Sequence, residues 1–261
     1  MERFDNIIRS LEKLVGKELS NWPTEWTGFN WPGYTYEHTL RVRNLSVAMA
    51  RQLGADERIV ELAALLHDIG RPEDGKHSDT GARRAEKVLS ELGIDAPTRQ
   101  RVCHIIETHL DKDPKYPVEN LVLYDADFID ANYGYVAFTR YITIRASRNM
   151  TVEETMEGAP ELLAAFEAKR GQVFTEIGDA ISIERFGRMR SFLDSLLQDG
   201  NCGAINIARY IAADAHSPSL IRQVEQMDGV LSGSSTISGL ESSDFLSEFV
   251  KMLKEEIAGE R

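Results

Sequence analysis

Residues 61–77 read ELAALLHDIGRPEDGKH, an apolar helical run that breaks off in polar chemistry. The apolar residues from Ile59 to Leu66 belong in a core, yet His67 and Asp68 follow at once. A carboxylate buried alone protonates, and a buried imidazole stays neutral. A divalent cation resolves both problems, because each group becomes a ligand in its preferred form. The plainer reading is a helix-end aspartate beside a hydrogen-bonded core histidine. Neighbours on a helix point about 100° apart, so both can meet one ion only at that helix's end.

The surrounding sequence favours the cation. Five of the six histidines (His38, His67, His77, His104 and His109) fall between residues 38 and 109, and only His216 lies elsewhere. Downstream, LVLYDADFIDA sets Asp125, Asp127 and Asp130 among Leu121, Leu123, Phe128 and Ile129, where an unpartnered carboxylate is costly. Three helices can thus each send ligands into one bundle core.

The pattern is helical nearly throughout. Helices are expected over 5–19, 37–53, 56–69, 78–92 and 96–110. Asp56 serves as an N-cap and Gly70 as a C-terminal stop. A longer helix starts near Val118 and is interrupted around Gly134; further helices cover 161–174 and 183–197. Beyond Gly200, NIARYIAADA, PSLIRQVEQM and DFLSEFVKMLKEEI are helical, separated by the Ser/Gly-rich GVLSGSSTISGLESSD. The expectation is an all-α protein with a helical bundle over 1–198 and a helical C-terminal extension, 199–261, of unassigned role. The last helix is amphipathic and should pack on its own domain or in a homo-oligomer.

Of the 261 residues, 42% are hydrophobic and 28% charged, enough for one large domain or a domain with an appendage. No run reaches the roughly 18 apolar residues of a membrane span, and MERFDNIIRSLEKLVG lacks a signal-peptide core. A cytoplasmic protein with no membrane partner is expected. The net charge of −12 argues against nucleic acid as a partner, though not against an anionic small molecule. Cys103 and Cys202 make no disulfide framework, and neither suits a nucleophile: Cys103 sits inside a helix and Cys202 in the loop NCGA. Walker loops, GxGxxG and Gly-x-Ser-x-Gly are absent. The loop holding Trp22, Trp26 and Trp31 is open to two readings, local core or a cap over a base.

The order His…His-Asp…Asp, carried by YEHTLRVRNLSVAMA, ELAALLHDIGR, HSDTGARRAEKVL, VCHIIETHL and YDADFIDANYGYVAFTR, resembles the HD superfamily of metal-dependent phosphohydrolases. These segments cover roughly residues 36 to 140. The last two look most like a subgroup containing small nucleotide pyrophosphohydrolases. By position, the resemblance implies the ligands His38, His67, Asp68 and Asp127. Asp125 and Asp130 do not align and are assigned to hydrogen bonding or a helix face, Asp130 with an option to support the site. Two imidazoles and two carboxylates suit one divalent transition ion, Mn²⁺, Fe²⁺, Co²⁺, Ni²⁺ or Zn²⁺, with Mg²⁺ less favoured. Some family members hold a second metal with extra histidines, so a second ion is an alternative here.

Around the histidines stand Arg71, Lys76, Arg83 and Arg84, interleaved with acids. Arg71 is the best placed to hold a phosphate, four residues beyond His67. Lys76, His77 and Arg140 are further substrate candidates; Arg140 occupies a position resembling a family arginine. His109 shares its helix face with Val102, Ile105 and Ile106 and is the expected pocket residue, while His104 points elsewhere. The implied activity is hydrolysis of a nucleotide or related phosphate compound by a metal-activated water, with Asp68 and His109 as catalytic residues. The alternatives are a nucleoside monophosphate phosphatase, a cyclic-nucleotide phosphodiesterase, a non-catalytic nucleotide sensor or a scaffold.

Overall fold

The computed structural model describes residues 2–20, 33–197, 202–215 and 219–260. They form α1 (Glu2–Ser20), α2 (Tyr34–Leu53), α3 (Glu57–Leu66), α4 (His77–Glu91), α5 (Ala96–Thr108), α6 (Val118–Asn132) and α7 (Tyr135–Ser147). Then follow α8 (Val152–Glu157), α9 (Ala159–Glu167), α10 (Glu176–Leu197), α11 (Cys202–Ala213), α12 (Leu220–Leu231) and α13 (Asp244–Ala258). The only bridge pairing among the described residues is an isolated one between Ile237 and Leu240, so the protein is all-α. No helix among the described residues is long and apolar enough to cross a membrane. The tryptophan loop and His216 lie outside the described residues.

Two compact units are present: Met1–Phe128 with Val173–Gly178, and Ile129–Gln172 with Asp179–Arg261. In the first, α3 is the inner helix, with Ile59, Val60 and the run Leu62–Leu66 buried. It packs against α1, α2, α4 and α5. Asp56 caps it by accepting from Ile59 N, as its position before the apolar run predicts. Asp95 does the same for α5.

In the second unit, α7 packs on α8, α11 and α13. Phe192 of α10 sits among Tyr135, Phe138, Phe245 and Phe249. The expected interruption at Gly134 is present, with φ of 97°. Glu256 of α13 reaches the break and accepts from the backbone N–H groups of Tyr135 (3.0 Å) and Val136 (2.9 Å). These are amide donors that no helical carbonyl can satisfy.

Several expected boundaries are corrected. The helix placed over 56–69 stops at Leu66, and His67–Gly70 form turns. Gly70 is therefore not a helix stop; it permits close approach, because a Cβ there would lie 2.4 Å from Gly81 N, His77 O and Thr80 Oγ1. The helix placed over 161–174 ends at Glu167 and is followed by a turn with Gly171 at φ of 79°; α10 begins at Glu176 rather than 183. Cys202 opens α11 instead of lying in a loop.

Candidate metal centre

Five elements of the first unit bring the sequence-selected residues together. Ending α3 at Leu66 frees His67 and Asp68 from helical spacing. The turn is held by α4: Arg84 Nη1 donates to Ile69 O (2.8 Å) and Thr80 Oγ1 to Gly70 O (3.2 Å). His38 comes from α2, Asp127 from α6, His77 from the first residue of α4, and His109 from the residue after α5.

Ligand atoms of His38, His67 and Asp127 all lie within 4.8 Å of one another, and so do those of Asp68, His77 and His109. Asp68 joins the two groups. Its Oδ2 is 3.6 Å from His67 Nε2 and 3.9 Å from His38 Nε2, and its Oδ1 is 3.6 Å from His77 Nε2. His38 Nε2 contacts Asp127 Oδ1 at 3.0 Å.

Hydrogen bonding sets the tautomers. His67 Nδ1 lies 2.7 Å from Ala64 O and His109 Nδ1 lies 2.6 Å from Ile106 O. A carbonyl only accepts, so each Nδ1 carries a proton and Nε2 is the ring atom left for a ligand bond. Those two Nε2 atoms, His77 Nε2 and Asp68 Oδ1 are buried without a hydrogen-bond partner. Orphaned lone pairs at this density are what a cation satisfies, and the mixed nitrogen/oxygen set fits a divalent transition ion.

Charge states agree. Burial pushes the Asp68 carboxyl up, but Arg71, His67, His38 and His77 outweigh it and hold it well below the usual carboxylate range. Asp127 is likewise raised by burial and brought down, chiefly by His38, to about 2. Burial and the Arg71 charge lower His77 to about 4; burial and His67 lower His109. At neutral pH the carboxylates are ionised and His77 and His109 neutral, the forms in which they coordinate metals.

Arg71 Nε lies 2.6 Å from Asp68 Oδ2, and this pairing outweighs the effect of burial and raises the guanidinium pKa. Lys76 is the N-cap residue of α4 and pairs with Asp79 of the same helix at 3.5 Å. Arg84 is committed to Glu18 and Ile69 O, and Arg83 is exposed. Arg140 and Asp130 belong to the second unit; Arg140 Nη1 donates to Ala131 O at 3.4 Å. His104 is exposed and lies edge-on to Tyr116, as its helix face predicts.

Asp125 accepts from Phe174 N (2.8 Å), Thr175 N (2.8 Å) and Thr175 Oγ1 (2.7 Å), the hydrogen-bonding role expected of it. One neighbour of the site escapes the sequence reading. The Tyr34 ring stacks on His38, with centroids 5.8 Å apart and planes 7° apart, and Arg41 lies over its ring. The signal was its place four residues before His38.

Residues 35–132 match the family model described as HD domain. Ribonuclease Y of Rubrobacter xylanophilus is 32% identical over 98 residues, covering 36% of this chain and 18% of that protein. A deoxyguanosinetriphosphate triphosphohydrolase-like protein of Bradyrhizobium diazoefficiens is 43% identical over 56 residues, 22% of this chain and 13% of that one. The chain thus spans less than a fifth of either relative's length. Among solved structures, an HD superfamily hydrolase from an uncultured Thermotogales bacterium aligns at a TM-score of 0.53 and 22% identity, over 72% of this chain and 90% of that one. Bacillus subtilis YpgQ in complex with ADP aligns at 0.55 and 22%, over 74% and 95%. At these identities the likeness is one of fold.

Proposed function

We propose that this HD-domain chain is a metal-dependent phosphohydrolase that cleaves a phosphoester or phosphoanhydride bond of a nucleotide with an activated water. The observation that carries the reading is the meeting of His38, His67, Asp68 and Asp127, with His67 Nε2 left without a partner and both carboxylates ionised. These four would hold the ion. Once bound there, a divalent transition ion lowers the pKa of its water and polarises a phosphoryl oxygen.

The remaining chemistry falls to the chain's own groups. Asp68 spans both sets of donors, so it can orient a water while ligating, and with His77 and His109 it offers a place for a second ion. In the one-ion form, His109 keeps a bare Nε2 and can take or position a proton of water or phosphate, with the neutral His77 ring beside it. Arg71 presents parallel donors for phosphoryl oxygens and stays charged throughout. Lys76 is assigned a further phosphate contact. The ADP of the YpgQ complex and the triphosphohydrolase-like relative support a small nucleotide as substrate.

Elemental analysis of purified protein followed by a nucleotide panel read by phosphorus NMR tests this. Bound transition metal and released pyrophosphate or phosphate are expected. Asp68→Asn, which keeps the side-chain shape, should lose at least a thousandfold in turnover with its helical content intact. Undiminished release by that variant overturns the assignment; tight nucleotide binding without product over hours makes the protein a sensor.

A further inference from the structure

We propose that Tyr124, Phe128 and Phe174 form a subsite for the nucleobase, beside the carboxylate that would hold the metal; this rests on the nucleotide reading above. At about 100° per residue, Asp127 and Phe128 lie roughly 60° and 40° to either side of Tyr124 on α6. The aromatic strip therefore borders the metal-facing side of that helix. Phe174 is brought to it by Asp125, which grips the backbone N–H groups of Phe174 and Thr175. The Tyr124 ring lies 6.0 Å from Phe128 with planes 8° apart, and 4.9 Å from Phe174 with planes 52° apart.

Accessibility points the same way. Asp127 is the only member of its three-residue metal group that is not fully buried. Phe128 and Phe174 are also half-buried, so the aromatic strip and the open side of the metal group share one face of α6. Tyr124 is only 6% exposed, and its hydroxyl oxygen is buried without a hydrogen-bond partner. Leaving a buried hydroxyl unpaired is costly, and packing alone would be served as well by phenylalanine. The carboxylate of neighbouring Asp125 is turned instead to three donors from Phe174 and Thr175. Burial, Asp125 and Asp127 raise the phenol pKa, so it stays a proton donor.

A nucleobase supplies both missing elements: a π face to lie against Phe128 and Phe174, and edge nitrogens or oxygens to pair with the phenol. Phosphate and diphosphate offer oxygens to the phenol but no π face for Phe128 and Phe174.

The test uses the full chain loaded with Mn²⁺ and non-hydrolysable probes. Four α,β-methylene nucleoside diphosphates carry a base; methylenediphosphonate carries the same phosphorus skeleton without one. Calorimetry on wild type, Tyr124→Phe, Phe128→Leu and Phe174→Leu gives the affinities, and chelator competition gives the Mn²⁺ affinity of each. In wild type at least one nucleotide should bind tenfold or more tighter than methylenediphosphonate. The variants should lose about tenfold for that nucleotide, with methylenediphosphonate and Mn²⁺ affinities within twofold of wild type. Equal binding of both probes by wild type, unchanged nucleotide binding in the variants, or parallel loss for both probes overturns the base subsite. The first two outcomes leave the phosphohydrolase reading standing, whereas a wild type that binds Mn²⁺ but neither probe overturns both.

Discussion

Cys103 on α5 is half-buried, its sulfur 3.7 Å from Glu86 Oε2. Burial, then the Glu86 charge, pushes its thiol up to about 11. Since the thiolate is the nucleophile, about one molecule in a thousand is reactive at pH 8. Iodoacetamide labelling of this residue, followed by peptide mass spectrometry, should be over a hundredfold slower than that of free cysteine at pH 8. The rate should keep rising about tenfold per pH unit to pH 10, where a free thiol has levelled off near its pKa of about 8.5. A plateau by pH 9 refutes the shift. This inertness matches the sequence reading of Cys103 as no nucleophile. Other residues were less legible. Asp125 and Asp127 look alike in the run DADFID, and what separates them is the Phe174–Thr175 backbone, whose arrival beside α6 local sequence cannot foretell. His67 and Asp68 were legible because burial makes their chemistry costly wherever the chain goes.

At the scale of helices, apolar spacing and caps located most elements, and errors gathered where the chain turns against another helix. Gly70 illustrates this. In sequence it reads as a stop after an apolar helix, but its backbone lies against the start of α4, where two of the three atoms that would crowd a Cβ belong to backbone and cannot rotate away. Gly70→Ala should therefore cost about 1–3 kcal/mol in urea unfolding, as overpacking does. It should also weaken metal binding, because His67 and His77 flank the contact; wild-type stability and metal affinity in this variant would contradict the packing argument. Gly134 meets a similar constraint from a side chain: a Cβ there would come within 2.4 Å of the Glu256 carboxylate, and its φ of 97° already disfavours any L side chain. The interruption was legible from the glycine. Glu256 as its partner was not, since 120 residues separate it from Val136.

For the whole molecule, two buried carboxylates do comparable work in different units. Asp125 in the first unit takes three donors from the segment at Phe174 and Thr175, returning the chain to that unit after its excursion through α7–α9. Glu256 in the second unit takes the two leading amides of α7, with Arg188 Nη1 3.8 Å away, and burial raises its pKa despite Arg185 and these donors. Replacing either acid by its amide puts an N–H₂ where a backbone N–H already donates, a loss of about 1–3 kcal/mol for a buried group left unsatisfied. If each unit opens as its own cooperative body, the losses should stay local. Hydrogen exchange should then rise about tenfold in α2, α3 and residues 173–178 for Asp125→Asn, since 1.4 kcal/mol is a factor of ten. For Glu256→Gln it should rise in α7, α11 and α13, the helices that pack together around that carboxylate. Uniform acceleration across all helices in both variants would mean that the chain unfolds as one body. In that case the C-terminal helices contribute directly to the stability of the metal-site unit.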